Sequence, residues 1–91
     1  MEKKILTKHP KGKTGVNISR EKYEAMRRAI LAVLAKKALT HDELTAAVGV
    51  RLKGKFDGSI PWYMEATKLD LEAKHAIERV AGKGPTRYRV R

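Results

Sequence analysis

Three helix-start signals constrain the fold of this chain more than any other feature: Ser19, Thr40 and Ser59. Each carries a side-chain oxygen that accepts a hydrogen bond from a free backbone amide in the first turn of a helix. Thr40 is followed by Glu43, which is the spacing of a capping box. Because the whole chain has only 91 residues, these signals predict one small domain built from three short helices.

Apolar side chains recur at steps of three and four residues after each signal, as amphipathic helices require. We expect helices over about residues 20–37, 41–53 and 60–74. In the third helix the apolar stripe that includes Trp62 is expected to face the core. Its members are Trp62, Ala66, Leu69, Ala73 and Ile77.

The C-terminal stretch changes to the period of a β-strand. Residues 86–91 alternate strictly, with Tyr88 and Val90 on one face and three arginines on the other. A β-prone run at 76–80 precedes them, and Gly and Pro residues fill the connection between the two. We therefore expect a mainly α fold with a small β-hairpin (α+β), in which three helices are followed by a two-stranded wing.

The positive charge is concentrated at the two ends of the chain. The formal net charge is +11, with 21 Lys and Arg against 10 Asp and Glu. Residues 1–18, 19–37 and 75–91 each carry an excess of four positive charges, whereas residues 38–74 together are slightly acidic. Such an excess predicts a polyanionic partner, with nucleic acid as the first candidate.

The order of elements resembles that of the winged helix-turn-helix domain. Three phrases are also similar to a small family of uncharacterised bacterial proteins, which implies no known activity: GKFDGSIPWY, KLDLEA and IERV. The winged-helix resemblance implies a DNA-binding domain at 19–91, with the third helix in the major groove and the wing against the backbone or minor groove. Residues 1–18 would form a separate basic N-terminal arm.

Candidate phosphate contacts lie in three segments. In the wing, Arg87, Arg89 and Arg91 project together, with Lys83 at the loop tip, although the same row would also suit a solvated edge strand that resists aggregation. The arm either follows the DNA backbone or is a disordered solubility tail. The candidates in the arm and the first helix are Lys8, Lys11, Lys13, Arg20, Arg27 and Arg28.

The third helix supplies the candidates for base recognition and for dimer formation. Tyr63, Thr67 and Lys68 are possible base contacts, but three acidic side chains on the same helix would repel a DNA backbone. Met64 and Leu71 lie nearly opposite the Trp62 stripe, so either the N-terminal segment or a second copy in a homodimer covers them. Trp62 either stacks on a base or, the preferred interpretation, belongs to the core.

Catalytic and cofactor signals are poor. Gly12-Lys13-Thr14 resembles the end of a phosphate-binding loop but lacks the first glycine of that motif, and the three histidines are scattered. The chain has no cysteine, no run of roughly 20 apolar residues and no visible secretory signal. We expect a cytoplasmic protein that is not an enzyme, with no catalytic residues, no metal, no cofactor, no small-molecule ligand and no membrane association.

The function expected from these features is nucleic-acid binding, with double-stranded DNA favoured and a possible role in transcription regulation. Two alternatives remain open. One is a protein-interaction or dimerisation module on a winged-helix scaffold, which the acidic third helix favours. The other is an RNA- or ribosome-associated protein, which would use the same positive charges.

Overall fold

The computed structural model describes residues 3–13 and 15–91, and the fold within them is an α+β arrangement of three helices and two small antiparallel sheets. The helices are α1 (Arg20–Leu34), α2 (His41–Leu52) and α3 (Ile60–Ala73). The strands are β1 (Lys4–Leu6), β2 (Asn17–Ser19), β3 (Leu39–Thr40), β4 (Ile77–Val80) and β5 (Arg87–Val90). The helices begin where the sequence predicts, and α1 ends three residues earlier because the chain turns there towards β3.

All three helix starts use the predicted caps. Ser19 accepts a hydrogen bond from the Lys22 amide and Ser59 accepts one from the Trp62 amide. At α2 the capping box is complete, because Glu43 also accepts from the Thr40 backbone at 3.0 Å. These local hydrogen bonds fix where each helix begins, before any long-range packing is considered.

The core lies between the three helices and the C-terminal sheet. Each helix contributes side chains that are at most 1 % exposed: Met26, Ile30, Leu44, Val48, Met64 and Leu71. Burial of such a side chain is worth about 1.5–3 kcal/mol. Of the two alternatives for Met64 and Leu71, the dimer contact is therefore wrong, because both side chains are buried in the core of a single chain.

The orientation of α3 is the reverse of the predicted one. Trp62 is 48 % exposed, whereas Thr67, Lys68 and Asp70 are buried. The helix has apolar residues on two sides, and the side that contains Met64 and Leu71 is the one that joins the core. Asp70 is buried because the Lys8 amide and the Tyr23 hydroxyl donate hydrogen bonds to it. Lys68 is buried against the Tyr88 ring and the Glu72 carboxylate, whereas the Thr67 hydroxyl has no hydrogen-bond partner among the described residues.

The C-terminal sheet has three strands in the order β3-β5-β4, all antiparallel. The prediction of a two-stranded wing is therefore incomplete, since the sheet has three strands. The additional strand, β3, pairs with β5 and places Leu39 opposite Tyr88. Tyr88 is buried as expected, whereas Val90 remains 39 % exposed. The sheet packs on the helices mainly through Tyr88, Leu39 and Ile77.

The N-terminal segment is folded onto the domain. β1 pairs with β2. The Thr7 amide continues the pairing by donating to the Val16 carbonyl, with the nitrogen 2.9 Å from the oxygen. The Lys8 amide also donates to Asp70 of α3 at 2.8 Å, and Ile18 is buried, so residues 3–13 and 15–18 of the predicted basic arm pack on the rest of the domain. Met1, Glu2 and Thr14 lie outside the described residues, and Thr14 is the last residue of the Gly12-Lys13-Thr14 motif.

Gly15 is needed for this close pairing. A Cβ atom at Gly15 would lie 1.7 Å from the carbonyl oxygen of Thr7, well inside any tolerated contact. The glycine therefore allows the two backbones to approach each other, and a side chain at this position would force them apart.

Candidate functional site

A surface depression lined mainly by cationic side chains is the strongest candidate site, and we call it the basic cleft. Its walls come from the start of β1, one face of α1 and the end of α3. The residues that line it are Lys3, Lys4, Ile5, Arg20, Tyr23, Glu24, Arg27, Leu71 and Lys74. Five of these nine side chains are basic and one is acidic, so the depression attracts anions.

Backbone pairing places the lysines beside the arginines. Lys4 lies opposite Ser19 in the β1–β2 ladder, and the Arg20 amide donates to the Lys3 carbonyl at 2.9 Å. On α1, Arg20 and Arg27 are seven residues apart and so project from the same helical face. The cleft thus joins two basic stretches that are well separated in the sequence.

Four cations of the cleft have no carboxylate partner within 4.0 Å among residues 3–13 and 15–91: Lys3, Lys4, Arg20 and Arg27. Three of them are exposed and Arg27 is half-buried. Like charges held close together repel one another, and a bound anion would relieve that repulsion. The arrangement is chemically suited to hold phosphate or another polyanion.

A buried carboxylate, Asp70, is paired with two of the side chains that line the cleft, Tyr23 and Lys74. Asp70 is fully buried and accepts hydrogen bonds from the Lys8 amide at 2.8 Å and from the Tyr23 hydroxyl. The Lys74 ammonium lies 2.9 Å from the same carboxylate and also donates to the Tyr23 hydroxyl at 3.2 Å. Asp70 therefore ties the N-terminal segment, α1 and α3 together at one point, with its charge balanced.

This network changes the acidity of its members. Burial, followed by the hydrogen bond to Asp70, raises the pKa of Tyr23. Burial alone would lower the pKa of Lys74, but its hydrogen bonds to Asp70 and Tyr23 outweigh burial and raise it. Both shifts favour the protonated forms, so Lys74 keeps its positive charge at the edge of the cleft at neutral pH.

A second polar cluster immobilises Lys68. Its ammonium lies 4.0 Å from the centre of the Tyr88 ring and 3.8 Å from the Glu72 carboxylate. Arg79 donates to the other oxygen of Glu72 at 3.0 Å, and this hydrogen bond raises the pKa of Arg79. The acidic character of α3 is thus mostly neutralised inside the protein, since Asp70 and Glu72 are both paired with basic side chains.

The residues predicted for base recognition do not form a surface. Thr67 is 0 % exposed and Lys68 is 4 % exposed, so the prediction that they contact bases is wrong. Tyr63 is half-buried, between the rings of Phe56 at 5.2 Å and Trp62 at 4.8 Å. The exposed part of α3 instead contains Trp62 and Glu65.

The arginines predicted in the wing are exposed but partly paired. Arg89 donates to Glu78 at 2.9 Å, and Arg91 lies 4.0 Å from the same carboxylate. Arg87 lies on β5 near the start of α2. At that helix start, Glu43 accepts a hydrogen bond from the Thr40 backbone amide, and this bond lowers the pKa of Glu43. The positive charge of Arg87 lowers it further. Lys83 is exposed in the connection between β4 and β5. These cations form a second basic surface that is partly neutralised by Glu78.

The remaining predicted phosphate contacts are divided between two places. Arg20 and Arg27 lie in the basic cleft, and Arg28 is exposed next to Arg27 on α1. Three exposed lysines lie along the segment that connects β1 with β2: Lys8, Lys11 and Lys13. Sequence reasoning missed Lys3, Lys4 and Lys74. The positive charge of the first residues was a local signal for Lys3 and Lys4, and no local signal marked Lys74.

Metal-ligand clusters and membrane-spanning helices are both absent from the described residues. Within 3–13 and 15–91 no group of three or more histidine or acidic side chains is placed to hold a metal ion. In the same part of the chain, none of the helices is both long enough and apolar enough to span a membrane.

Comparison with known proteins identifies a family whose function is unknown. The profile of a family of unknown function, DUF6958, matches residues 4–88. Neither the curated proteins nor the solved structures contain a match. Since the profile covers nearly the whole chain, the chain belongs to this family of unknown function, DUF6958.

Proposed function

We propose that this protein is a nucleic-acid-binding module that holds double-stranded DNA mainly through its phosphates. The observation that carries the proposal is the basic cleft, in which Lys3, Lys4, Arg20 and Arg27 converge without carboxylate partners in the described residues. Lysine and arginine contacts to phosphates release condensed counterions, which is the main source of sequence-independent affinity for DNA.

The scaffold proposed for this module is a winged helix-turn-helix. Support comes from the order α1–β3–α2–α3–β4–β5 and from the pairing of β3 with β5 beside β4. Because Thr67 and Lys68 are buried, the proposal places no base recognition on the middle of α3. Affinity is assigned to phosphate contacts from the cleft, with Arg28, Lys83 and Arg87 as peripheral cations.

The alternative of a protein-interaction module loses its main support. That interpretation rested on the acidic character of the third helix, and Asp70 and Glu72 are paired inside the protein. RNA would engage the same cations as DNA, so a duplex RNA of matched length belongs in the binding experiment. DNA is favoured if the affinity for its duplex is higher at every salt concentration.

The test is the salt dependence of binding to a short random-sequence DNA duplex, measured by fluorescence anisotropy of a labelled duplex. Four phosphate contacts predict a slope of log K against log salt of about −3.6. The variant Arg20→Ala/Arg27→Ala removes two of them and should reduce the magnitude of the slope by about 1.8.

The matched control is Lys36→Ala/Lys37→Ala, which removes the same charge from two exposed lysines just beyond the C-terminal end of α1. Arg20 is the first residue of α1, which is roughly 22 Å long, and the two lysines follow its last turn. The control charges therefore lie at the opposite end of the helix from Arg20. We expect the control to change the slope by less than half as much as the cleft variant. Equal effects of the two variants, or no duplex binding at low salt, would contradict the proposal.

A further inference from the structure

Trp62 forms one wall of a second, smaller cleft, which we call the Trp62 cleft. The exposed face of α3 provides one side, and the backbone on both sides of the β1–β2 connection provides the other. Its lining consists of Thr7, Lys8, His9, Gly15, Val16, Trp62, Glu65, Ala66 and Leu69. An aromatic side chain that remains 48 % exposed in so small a domain is not explained by core packing.

We propose that the Trp62 cleft binds one unpaired nucleobase, which stacks on the indole ring while Lys8 contacts an adjoining phosphate. The inference rests on the proposed nucleic-acid function and adds single-stranded segments to the ligands of the protein. It assigns a role to Trp62 that the basic cleft does not require.

The indole is held in place before any ligand arrives. Trp62 packs against Tyr63 at 4.8 Å with the ring planes at 80°, and Tyr63 packs in turn against Phe56 at 71°. This chain of edge-to-face contacts restricts the orientation of Trp62 while about half of the side chain stays open to solvent. A stacking platform that is already oriented loses little conformational freedom when it binds.

The size of the cleft fits a single ring system. Its volume is about 180 Å³, which is below the roughly 300–1,000 Å³ typical of sites for whole drug-sized ligands. Val16, Ala66 and Leu69 give it apolar walls that suit the faces of a base. A base within a duplex is covered on both faces by its neighbours, so this geometry selects an unpaired base.

Polar groups at the rim match the edge of a base and its phosphate. The Nδ1 atom of His9 accepts a hydrogen bond from the Lys11 amide at 3.1 Å, so the proton of the neutral ring is on Nε2, which can donate. Glu65 supplies an acceptor on the opposite wall. Lys8 is exposed beside the cleft, and Lys22 lies 5.2 Å from the centre of the Tyr63 ring, so positive charge for phosphates is near.

The experiment uses the fluorescence of the single tryptophan in the chain. The 91-residue chain is titrated at low salt with a short single-stranded DNA, the matching RNA, an abasic oligomer with the same phosphates, and a DNA duplex. We expect both base-bearing single strands to quench Trp62 emission and the abasic oligomer and the duplex to leave it nearly unchanged.

Anisotropy with labelled oligomers then tests the energetic role of the ring. Trp62→Ala should weaken single-strand binding roughly tenfold, Trp62→Phe should restore most of it, and duplex affinity should change less than about twofold in both. The matched control is Val50→Ala, which removes a 79 % exposed apolar side chain from α2 and should change none of these affinities. Circular dichroism spectra confirm that each variant is folded.

The outcomes separate the two proposals. If the duplex binds with the predicted salt slope but Trp62→Ala behaves like Val50→Ala on single strands, the Trp62 cleft does not bind bases and only this inference is overturned. The inference is also overturned if the abasic oligomer quenches Trp62 emission as strongly as the base-bearing strand does. Absence of all nucleic-acid binding overturns both proposals.

Discussion

Removal of the Asp70 carboxylate should destabilise the protein more than the loss of any exposed charge. In Asp70→Ala the Lys8 amide and the Tyr23 hydroxyl both lose their acceptor, and Tyr23 is only 4 % exposed. A buried donor left unsatisfied costs about 1–3 kcal/mol, and a hydrogen bond to a charged group is worth about 1.5–3 kcal/mol. Lys74 contributes little to the loss because 41 % of its side chain is exposed and can turn to water.

The expected loss is therefore about 3–5 kcal/mol, which is also the range for breaking a buried ion pair by removing one partner. A domain of 91 residues has a total stability of about 5–14 kcal/mol, so the variant is substantially weakened or unfolded at room temperature. Beyond stability, the change removes the hydrogen bond by which Asp70 holds the Lys8 amide against α3, whereas the β1–β2 pairing that places Lys4 beside α1 is kept.

The assay is urea denaturation followed by circular dichroism, with wild type, Asp70→Ala, Tyr23→Phe and Asp57→Ala compared under the same conditions. Tyr23→Phe removes one of the bonds to Asp70 and should cost about 1.5–2 kcal/mol. Asp57→Ala removes an exposed carboxylate and should change the free energy of unfolding by less than about 0.5 kcal/mol. If Asp70→Ala is no more destabilising than Asp57→Ala, the network does not hold the three segments together.

Three further predictions concern the network, the N-terminal pairing and the core. The pKa of Tyr23, like that of Lys74, is raised in the folded protein. The protonated forms of these two groups therefore stabilise the folded state fully below about pH 10, and this stabilisation is lost as the pH rises through their pKa values in the folded protein. Alkaline urea titrations should show this loss, less steeply in Tyr23→Phe. Gly15→Ala should increase amide hydrogen exchange at Thr7 and Val16, because its Cβ meets the Thr7 carbonyl; unchanged protection would contradict the close approach. Leu71→Ala should cost about 2–5 kcal/mol in urea melts without changing the mass measured by light scattering, whereas a change in mass would restore a dimer contact there.

The helix starts could be predicted from the sequence because their causes are local. Ser19, Thr40 and Ser59 each act on a backbone amide three residues away, so the signal and its effect lie in the same short stretch. The alternation of β5 is local in the same way, and it correctly predicts Tyr88 in the core.

The orientation of α3 could not be predicted in this way. Its two apolar stripes are similar in strength, and the choice between them depends on partners far away in the sequence. Asp70 accepts from Lys8, 62 residues earlier, and from Tyr23, 47 residues earlier. Without those partners a buried aspartate looks improbable, so local reasoning favours the larger aromatic residue Trp62 for the core.

Only part of the basic cleft could be predicted from the sequence, for a related reason. Arg20 and Arg27 are candidates because they lie on an amphipathic helix, but Lys3 and Lys4 join them only through the β1–β2 ladder. β1 has three residues, too few for a strand period to be recognised in a basic stretch. The net charge therefore indicates the class of partner, whereas the position of the site requires the fold.

The location of the duplex-binding site is measured most directly by two-dimensional ¹⁵N–¹H NMR during titration with a short DNA duplex. Phosphate binding in the basic cleft predicts that the largest amide shift changes occur at residues 3–5, 20–27 and 74. Changes concentrated at residues 62–69 or 83–91, with the cleft amides unmoved, would contradict the central claim that this cleft is where DNA is held.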